Sequence, residues 1–525
     1  MLTGGIIMKD KMRLNAAGRL VPVEVNGEPA VPYQGVENYR KTGCKYAPPI
    51  PSCADYPADG NKQVSSLEEA LVKAGLNDGM TISTHHHLRD GDFLANQVFD
   101  IAHKLGIKGL RWFPSASFPC NAHLIPYLED GTIDSIEGSM NGPLGEFTSR
   151  GRMKKTAVLR SHGGRVQAIQ DGEVKIDIAV IAAPAADQFG NANGLSGPSA
   201  TGVLGYAEMD VQYAGKVIIV TDNLVPFPCL PMQIAGNFAD YVVVVDQLGD
   251  AGKIVSGTTQ ITRSPDRLII ADLTARFCEV TGIIYDGCVI QAGAGGISLA
   301  IAEYMKQIMI RNHWKIRVGF GGTTKYMVDM LEQGVMEYIL DGQVFDTASV
   351  RSLNENRNHQ SFSVFNAYNY HSKGNLTSLI DVVTLGATEI DVHFNGNVVT
   401  HSDGMLLHGI GGWQNCLFAK NTIIALPLFR NRIPAIVDEV TTLCGPGELI
   451  DVVVTERGIA INPRRKDLLE KVKDSGLPVR HIEELREEAV SICGTPDKPE
   501  FTDKIVAVVK WVDGTVLDVV RQVLC

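Results

Sequence analysis

Apolar and polar positions follow two alternating periods along most of the chain. From about residue 65, amphipathic helical stretches alternate with short and continuous apolar runs. Three of these runs contain few polar residues, as is typical of strands buried on both faces of a parallel sheet, and they lie at 176–183, 216–221 and 241–246. The pattern therefore predicts an α/β fold with largely parallel sheets.

The same rhythm restarts near residue 262, so the chain divides into two α/β halves. In the first half it predicts helices at 67–75 and 96–105 and strands at 80–84 and 109–113; in the second it predicts a helix at 267–277 and strands at 381–385 and 450–455. The first 62 residues are rich in proline and glycine and show little periodicity, which favours an extended arm lying over the main body. We expect an N-terminal extension at 1–62 and two domains at 63–262 and 263–525.

Two glycine clusters interrupt the second half. An apolar run at 289–292 ends in Gly293, Gly295 and Gly296, and a helix-forming run follows at once. Glycines there let the backbone approach a ligand, and the N–H groups of the first helical turn face whatever binds. The dinucleotide fingerprint is incomplete, because Ser298 stands where its third glycine belongs.

The second glycine cluster is formed by Gly409, Gly411 and Gly412 and has no acidic, lysine or arginine side chain beside it. Both clusters offer backbone donors that suit a phosphate or the oxyanion of an attacked thioester. The alternative interpretation of the first cluster is that its glycines merely turn a strand into a helix.

Polar residues that could bind an anion follow the strand predicted at 80–84. His85, His86, His87 and Arg89 lie where open α/β sheets bind ligands, at the carboxyl end of a strand. Three adjacent histidines cannot all face one metal from a strand, so we predict no metal site and assign the imidazoles to an anionic substrate. Arg165 lies in a segment that precedes another strand; it could hold a carboxylate or be a solvated residue of a surface turn.

Two further patterns leave alternatives open. Ser115 would suit a serine hydrolase, but no Gly-x-Ser-x-Gly elbow is present in the sequence. The segment 187–194, with Asn191 and Asn193, is similar to 391–398, with Asn395, and each follows a hydrophobic strand. This similarity is either a true repeat or ordinary turn chemistry.

Composition limits the class of protein and its partners. The 525 residues are 45% hydrophobic and 20% charged, which is ordinary for a globular protein, and the formal net charge of −11 argues against nucleic acid or an anionic membrane as partner. The ten cysteines include no Cys-x-x-Cys pair and are expected to be reduced thiols. With no apolar run of about 20 residues and no signal peptide, we expect a cytoplasmic protein.

Several segments agree in order and spacing with one family over nearly the whole stretch from 65 to 523. They are LNDGMTIS at 76–83, NGPLG at 141–145, SHGGRV at 161–166, FGNANG at 189–194, QAGAGGISLA at 291–300, NGNV at 395–398, GIAINP at 458–463 and FTDKIVAVV at 501–509. On these segments the chain resembles the citrate lyase alpha subunit, a branch of the CoA-transferase superfamily. The arm matches least well.

The resemblance implies two tandem CoA-transferase-like domains with the active site between them. It also implies a transferase that converts acetyl-ACP and citrate to citryl-ACP and acetate. The thioester is carried by a phosphoribosyl-dephospho-CoA arm on the partner, so this chain needs no cofactor of its own. The expected partners are the gamma subunit, which is the acyl carrier protein, the beta subunit, which is the citryl-ACP lyase, and further copies of this chain. Two alternatives remain: a citramalate lyase alpha subunit, and a stand-alone CoA-transferase or thioester hydrolase.

The resemblance also suggests residue roles. In related acetyl-CoA transferases a catalytic glutamate precedes a helix that matches 328–335, and counting back the same distance reaches Gly321. A glycine cannot be a nucleophile, so we expect citrate's own carboxylate to attack the thioester. The expected catalytic backbone is at Gly321, Gly322, Gly409, Gly411 and Gly412. The residues expected to bind substrate are His85, His86, His87, Arg89, Ser115, Arg165, Asn191, Asn193 and Asn395, and those expected to bind the thioester arm are Gln291, Gly293, Gly295, Gly296 and Ser298.

Overall fold

Two large sheets, one in each half, form the frame of the protein. The computed structural model describes residues 11–41, 57–254, 260–293, 295–373 and 375–524. The first sheet has seven strands, all parallel, in the spatial order Gln63–Val64, Tyr241–Val244, Lys216–Thr221, Ile178–Ala182, Thr81–Thr84, Leu110–Pro114 and Ile133–Ile136. The predicted buried parallel strands are thus confirmed.

The second sheet has eight strands and is parallel except at one edge, where the last two strands pair antiparallel. Its spatial order is His359–Ser361, Ile339–Val344, Val318–Thr323, Val289–Ala292, Val382–Leu385, Thr422–Ala425, Val452–Thr455 and Gly458–Ile461. The α/β fold class with mostly parallel sheets is therefore confirmed for both halves.

Helices connect and cover these strands. In the first half they are Leu67–Lys73, Leu94–Lys104, Ile125–Asp130, Pro143–Ser149, His162–Gln170 and Ala207–Tyr213. In the second half they are Pro265–Val280, Gly296–Arg311, Lys325–Glu332, Thr347–Glu355, Val364–Tyr368, Trp413–Cys416, Lys466–Val472 and Ile482–Cys493. Local sequence explains many ends: Ser66 accepts a hydrogen bond from the Glu69 N–H, and Pro265 occupies a first-turn position that needs no donor.

The alternative that the segment around Arg165 is a surface turn is wrong. Ser161 caps a helix that begins at His162, and its Oγ accepts a hydrogen bond of 3.0 Å from the Gly164 N–H. The adjacent glycines at 163 and 164 lower helix propensity, which hid this helix from pattern analysis. Tertiary packing restores it, since seven of its nine residues are buried.

The C-terminal residues cross back to the first half. The strands Phe501–Lys510 and Val516–Val523 form a hairpin, and the first of them pairs in parallel with Ala157–Leu159. The arm lies on this hairpin: the Asn15 side-chain amide donates to the carbonyls of Val516 and Leu517 at 3.1 and 2.8 Å. Within its described residues, 11–41, the arm contains two small hairpins, Met12–Leu14 with Leu20–Pro22 and Glu24–Val25 with Glu28–Pro29.

Small sheets complete the described fold. They pair Ala116–Ser117 with Ser139–Met140, Ala185–Ala186 with Ala192–Asn193, Glu389–Asp391 with Gly396–Asn397 and Ile436–Val437, and Phe429–Arg430 with Ile433–Pro434. A single hydrophobic cluster contains buried residues of both halves, such as Phe113 and Phe320, so the halves share a core. Within the described ranges, no helix combines the length and the apolar character that crossing a membrane requires.

Candidate active site between the two halves

A cavity of about 150 Å³ lies where the carboxyl ends of the second sheet's strands meet the first half. We call it the central cavity; it is lined by His162, Tyr206, Gln291, Ala292, Gly321, Gly322, Gly342, Gln343, Phe345, Val364, Tyr368, Leu385, Gly412, Trp413 and Cys416. The carboxyl ends of parallel strands are where α/β sheets bind ligands. None of the described lining residues is acidic, so the wall does not repel an anion.

Gly321 and Gly322 form a bare stretch of this wall. Gly321 has a φ of +108°, and a Cβ built there would lie 3.0 Å from Cγ of Gln291. A Cβ on Gly322 would overlap the Phe345 ring, and the register of the two neighbouring strands shifts between the glycines. This backbone is favourable for glycine and strained for a glutamate. The predicted absence of a side-chain nucleophile at Gly321 therefore has a conformational reason.

The loop with Gly409, Gly411 and Gly412 joins the two halves at the cavity. Gly411 has a φ of +59°, and its carbonyl accepts a 2.9 Å hydrogen bond from the His162 N–H. A Cβ on Gly409 would overlap Ser139 of the first half, and Gly412 itself lines the cavity. The three glycines thus permit a close approach between the halves; their catalytic role stays a prediction.

The glycine cluster at 293–296 lies beside the cavity, because Gln291 and Ala292, which come just before it, line the cavity wall. The Gly293 N–H and the Ser298 hydroxyl both donate to the Thr384 carbonyl, at 3.2 and 3.4 Å. Gly295 is exposed and precedes the helix that begins at Gly296. An exposed helix start next to a cavity is a suitable entrance for a phosphate-bearing arm, and the assignment of these residues stays a prediction.

The three histidines are buried and have different partners. His85 Nε2 lies 3.1 Å from an Asp210 oxygen, and His87 Nε2 lies 3.2 Å from the Ala182 carbonyl oxygen. His86 is hydrogen-bonded to Ser115 and lies near the cavity, with ring centroids 4.9 Å from Tyr206 and 6.0 Å from His162. Burial lowers the pKa of all three, to about 3 for His87, so they are neutral at pH 7.

The two arginines occupy different surroundings. Arg165 is buried, pairs with Asp210, donates to the Phe113 carbonyl at 3.0 Å and lies 3.8 Å above the Phe113 ring. The alternative of a solvated surface arginine is therefore wrong. Arg89 lies over the rings of Phe118 and Phe345, at 5.2 and 5.0 Å, and burial lowers its pKa. Because Phe345 lines the cavity and contacts Arg89, Arg89 is closer to the cavity than Arg165 is.

The predicted asparagines close loops of their own. Asn191 donates to Asp187 at 2.8 Å and accepts from the Gly236 N–H at 2.8 Å; Asn395 donates to Asp391 at 3.1 Å and accepts from the Gly447 N–H at 2.9 Å. Asn193 donates to the Pro231 carbonyl at 3.0 Å. The two loops share the same hydrogen bonds, which favours a true repeat. Substrate contact stays a prediction for these three residues.

Comparison with known proteins decides the family. The family model described as "Citrate lyase, alpha subunit" matches residues 60–523. The chain belongs to the citrate lyase alpha subunit family. It is similar to the citrate lyase alpha chains of Escherichia coli (strain K12) and Klebsiella pneumoniae, each 42% identical, over 89% and 88% of this chain and 92% and 91% of theirs.

A solved structure extends this likeness to three dimensions. The putative alpha subunit of citrate lyase from Streptococcus mutans, in complex with citrate, has a TM-score of 0.88 and 41% identity and covers 94% of this chain and 96% of its own. The family resemblance predicted from sequence is thus confirmed, with the enzyme class of transferase and membership of a citrate lyase complex. The alternatives, a citramalate lyase alpha subunit and a stand-alone enzyme, are not favoured.

Several cavity residues of this citrate lyase alpha family member were missed in the sequence. His162 stood in a recognised segment without a role; burial and then Arg165 lower its pKa to about 3, so its imidazole is neutral. Tyr206 packs edge-on against it at 4.7 Å, and burial raises the tyrosine pKa. Gln343 and Tyr368 carried no sequence signal, since isolated residues reach the cavity only through the fold.

The described residues contain no group of three or more His, Cys, Asp or Glu side chains that could hold a metal ion. The buried acids near the cavity are already engaged. Asp210 is paired with Arg165, and Asp341 lies 3.2 Å from Nε2 of His359. The site therefore offers backbone donors, neutral imidazoles, amides and a nearby cation to an anionic substrate.

Proposed function

We propose that this chain exchanges acetate for citrate on the thioester of an acyl carrier protein, in the central cavity. The observation that carries the mechanism is the bare wall at Gly321 and Gly322, together with the absence of acidic side chains among the described lining residues. An enzyme carboxylate would be needed for a covalent thioester intermediate on the protein. Family membership supports the reaction, and the Streptococcus mutans relative was solved with citrate.

The attacking group in this mechanism is a carboxylate of citrate. Its oxygen attacks the acetyl carbonyl carbon, the carbon–sulfur bond breaks, and the thiolate of the carrier arm leaves. The product is a mixed anhydride of citrate and acetate. The same thiolate then attacks the citryl carbonyl, acetate leaves, and citryl-ACP remains. Both steps pass through an oxyanion, so fixed hydrogen-bond donors and the exclusion of water accelerate them.

The residues fit these needs in the following way. We assign oxyanion stabilisation to backbone N–H groups at Gly409–Gly412 and Gly321–Gly322. Citrate carboxylates are assigned to Arg89 and His86, which lie against the cavity residues Phe345 and Tyr206. The carrier arm is assigned to the helix start at Gly296 and to its neighbours, because a helix N-terminus favours phosphate.

The partners follow from the same proposal. The gamma subunit would carry the phosphoribosyl-dephospho-CoA arm, the beta subunit would cleave citryl-ACP, and this chain would form homo-oligomers. A cytoplasmic location is supported by the cysteines, because all seven in the described residues are free thiols. No cofactor bound to this chain enters the proposed reaction.

Intact-protein mass spectrometry tests the mechanism directly. The chain is mixed with acetyl-ACP in the absence of citrate, and we expect its mass to stay unmodified. Adding citrate should then release acetate and convert the carrier to citryl-ACP. An acyl or thioester adduct on this chain without citrate would contradict direct attack by citrate, and acetate release without citrate would indicate a hydrolase.

A further inference from the structure

Two glutamine side chains reach the central cavity from strands that flank the bare wall. Gln291 lies in the strand Val289–Ala292 and Gln343 in the strand Ile339–Val344. The strand between them pairs Phe320 with Gln291 and Gly322 with Gln343. Gly321 of the middle strand lies against the Gln291 side chain, Gly322 is paired with Gln343, and both glutamines line the same cavity.

Each glutamine has a buried polar atom without a partner. Gln291 is 9% exposed; its Nε2 donates to the Ala292 carbonyl at 3.2 Å, whereas its Oε1 has no hydrogen-bond partner among the described residues. Gln343 is hydrogen-bonded to His86, yet its Nε2 is buried and has no hydrogen-bond partner among the residues that the structure describes. An unsatisfied buried polar atom is unfavourable, so two on one cavity wall indicate that a ligand supplies the missing bonds.

The two unsatisfied atoms indicate which functional group of a ligand could bind to them. The wall offers one free acceptor, Oε1 of Gln291, and one free donor, Nε2 of Gln343. The Ala292 carbonyl can only accept, so it holds the Gln291 amide with its nitrogen toward that carbonyl and its oxygen free. A carboxylate or a thioester carbonyl only accepts, so it would leave the acceptor unsatisfied. A hydroxyl both donates and accepts, and citrate carries one hydroxyl beside its three carboxylates.

We propose that Gln291 and Gln343 bind the hydroxyl group of the acid substrate and thereby select 2-hydroxy acids over acids that lack the hydroxyl. This inference rests on the proposed function, because it places citrate in the central cavity. A site built to hydrogen-bond a substrate hydroxyl discriminates against the analogue without it, since its buried polar groups then stay unpaired. Neither glutamine is a reacting group; both determine specificity.

The test compares citrate with tricarballylate, which has the same three carboxylates and no hydroxyl. Each acid is offered with acetyl-ACP, and the ratio of kcat/KM for citrate to that for tricarballylate is measured from acetate release. We expect a ratio of about 100 or more for the wild-type chain. In Gln343→Met and Gln291→Met it should fall to about 10 or less, through loss of activity with citrate. The control Gln307→Met changes an exposed glutamine on the helix Gly296–Arg311 and should keep the wild-type ratio.

The outcomes separate this inference from the proposed function. A wild-type ratio near one would overturn the inference without any variant, which matters if a variant fails to fold by circular dichroism. An unchanged ratio in both folded variants, with equal loss for the two acids, would also overturn it and would assign the glutamines to the carrier arm. A wild-type chain that transfers to neither acid would contradict the proposed function itself, and the inference with it.

Discussion

The two halves use similar scaffolds for different purposes at their strand ends. In the first half, the ends of the strands carry the buried residues His85–His87 and Ser115, and His85 lies beside Asp210, the partner of Arg165. In the second half, the corresponding ends carry glycines and two glutamines around an open cavity. The first half thus provides a closed polar wall, and the second provides space for a ligand.

The repeated loops show that this difference is local. Asp187 with Asn191 and Asp391 with Asn395 make matching hydrogen bonds, and each asparagine accepts from a glycine N–H that begins a 3-10 helix. Such agreement over two halves of low sequence similarity indicates that the loops hold the scaffold. The chemistry then depends on which strand ends are filled and which are left bare.

The largest effect is expected for Gly411→Val. The φ of +59° is unfavourable for a β-branched residue, and the loop would pull away from the His162 N–H. A shift of about 1 Å at a reaction centre costs about 100-fold in rate or more, so transfer should be abolished while circular dichroism stays near wild type. The matched control is Gly282→Val, at an exposed turn with a φ of +66° and open space around it. Full activity in Gly411→Val would show that the loop only connects its neighbouring elements and has no part in catalysis.

The second prediction concerns the closed wall of the first half. Arg165→Ala leaves the Asp210 carboxylate buried without its guanidinium partner, and removing one member of a buried ion pair costs about 3–5 kcal/mol. We therefore expect a large loss in the free energy of unfolding, measured by urea denaturation, which adding Asp210→Asn should partly reverse. If the variant stays stable and only the citrate KM rises, by more than about tenfold, then Arg165 binds substrate directly.

The third prediction contrasts Arg89 with Arg165. Arg89→Met keeps an apolar stem between Phe118 and Phe345 but removes the charge. Loss of a charge-assisted contact costs about 1.5–3 kcal/mol, so the citrate KM should rise by about tenfold or more with little change in the acetyl-ACP KM. Partial recovery in Arg89→Lys would support a charge contact. An unchanged citrate KM would show that the citrate carboxylates bind elsewhere.

These contrasts also show which parts of the fold and of the site could be predicted from the sequence. Apolar runs predicted the parallel strands of both halves, because strands buried on both faces need continuous apolar residues. A glycine cluster pointed to Gly412 and the family resemblance to Gly321 and Gly322, and all three line the cavity. Periodicity carries no information on which strand end faces which, so Tyr206 and Gln343 could not be found. Periodicity also could not show that Arg165 forms an ion pair with Asp210 and is not open to a ligand.

The smallest effects are expected for the repeated loops, through Asn191→Ala and Asn395→Ala. Each change deprives one glycine N–H and one aspartate of a hydrogen bond, which costs about 1–3 kcal/mol in the free energy of unfolding. If the loops are equivalent supports, the two losses should agree within about 1 kcal/mol and the citrate KM should stay near wild type in both. A citrate KM raised only in Asn191→Ala would break the symmetry and place that amide in the substrate site. Urea denaturation and initial rates on the same preparations distinguish these results.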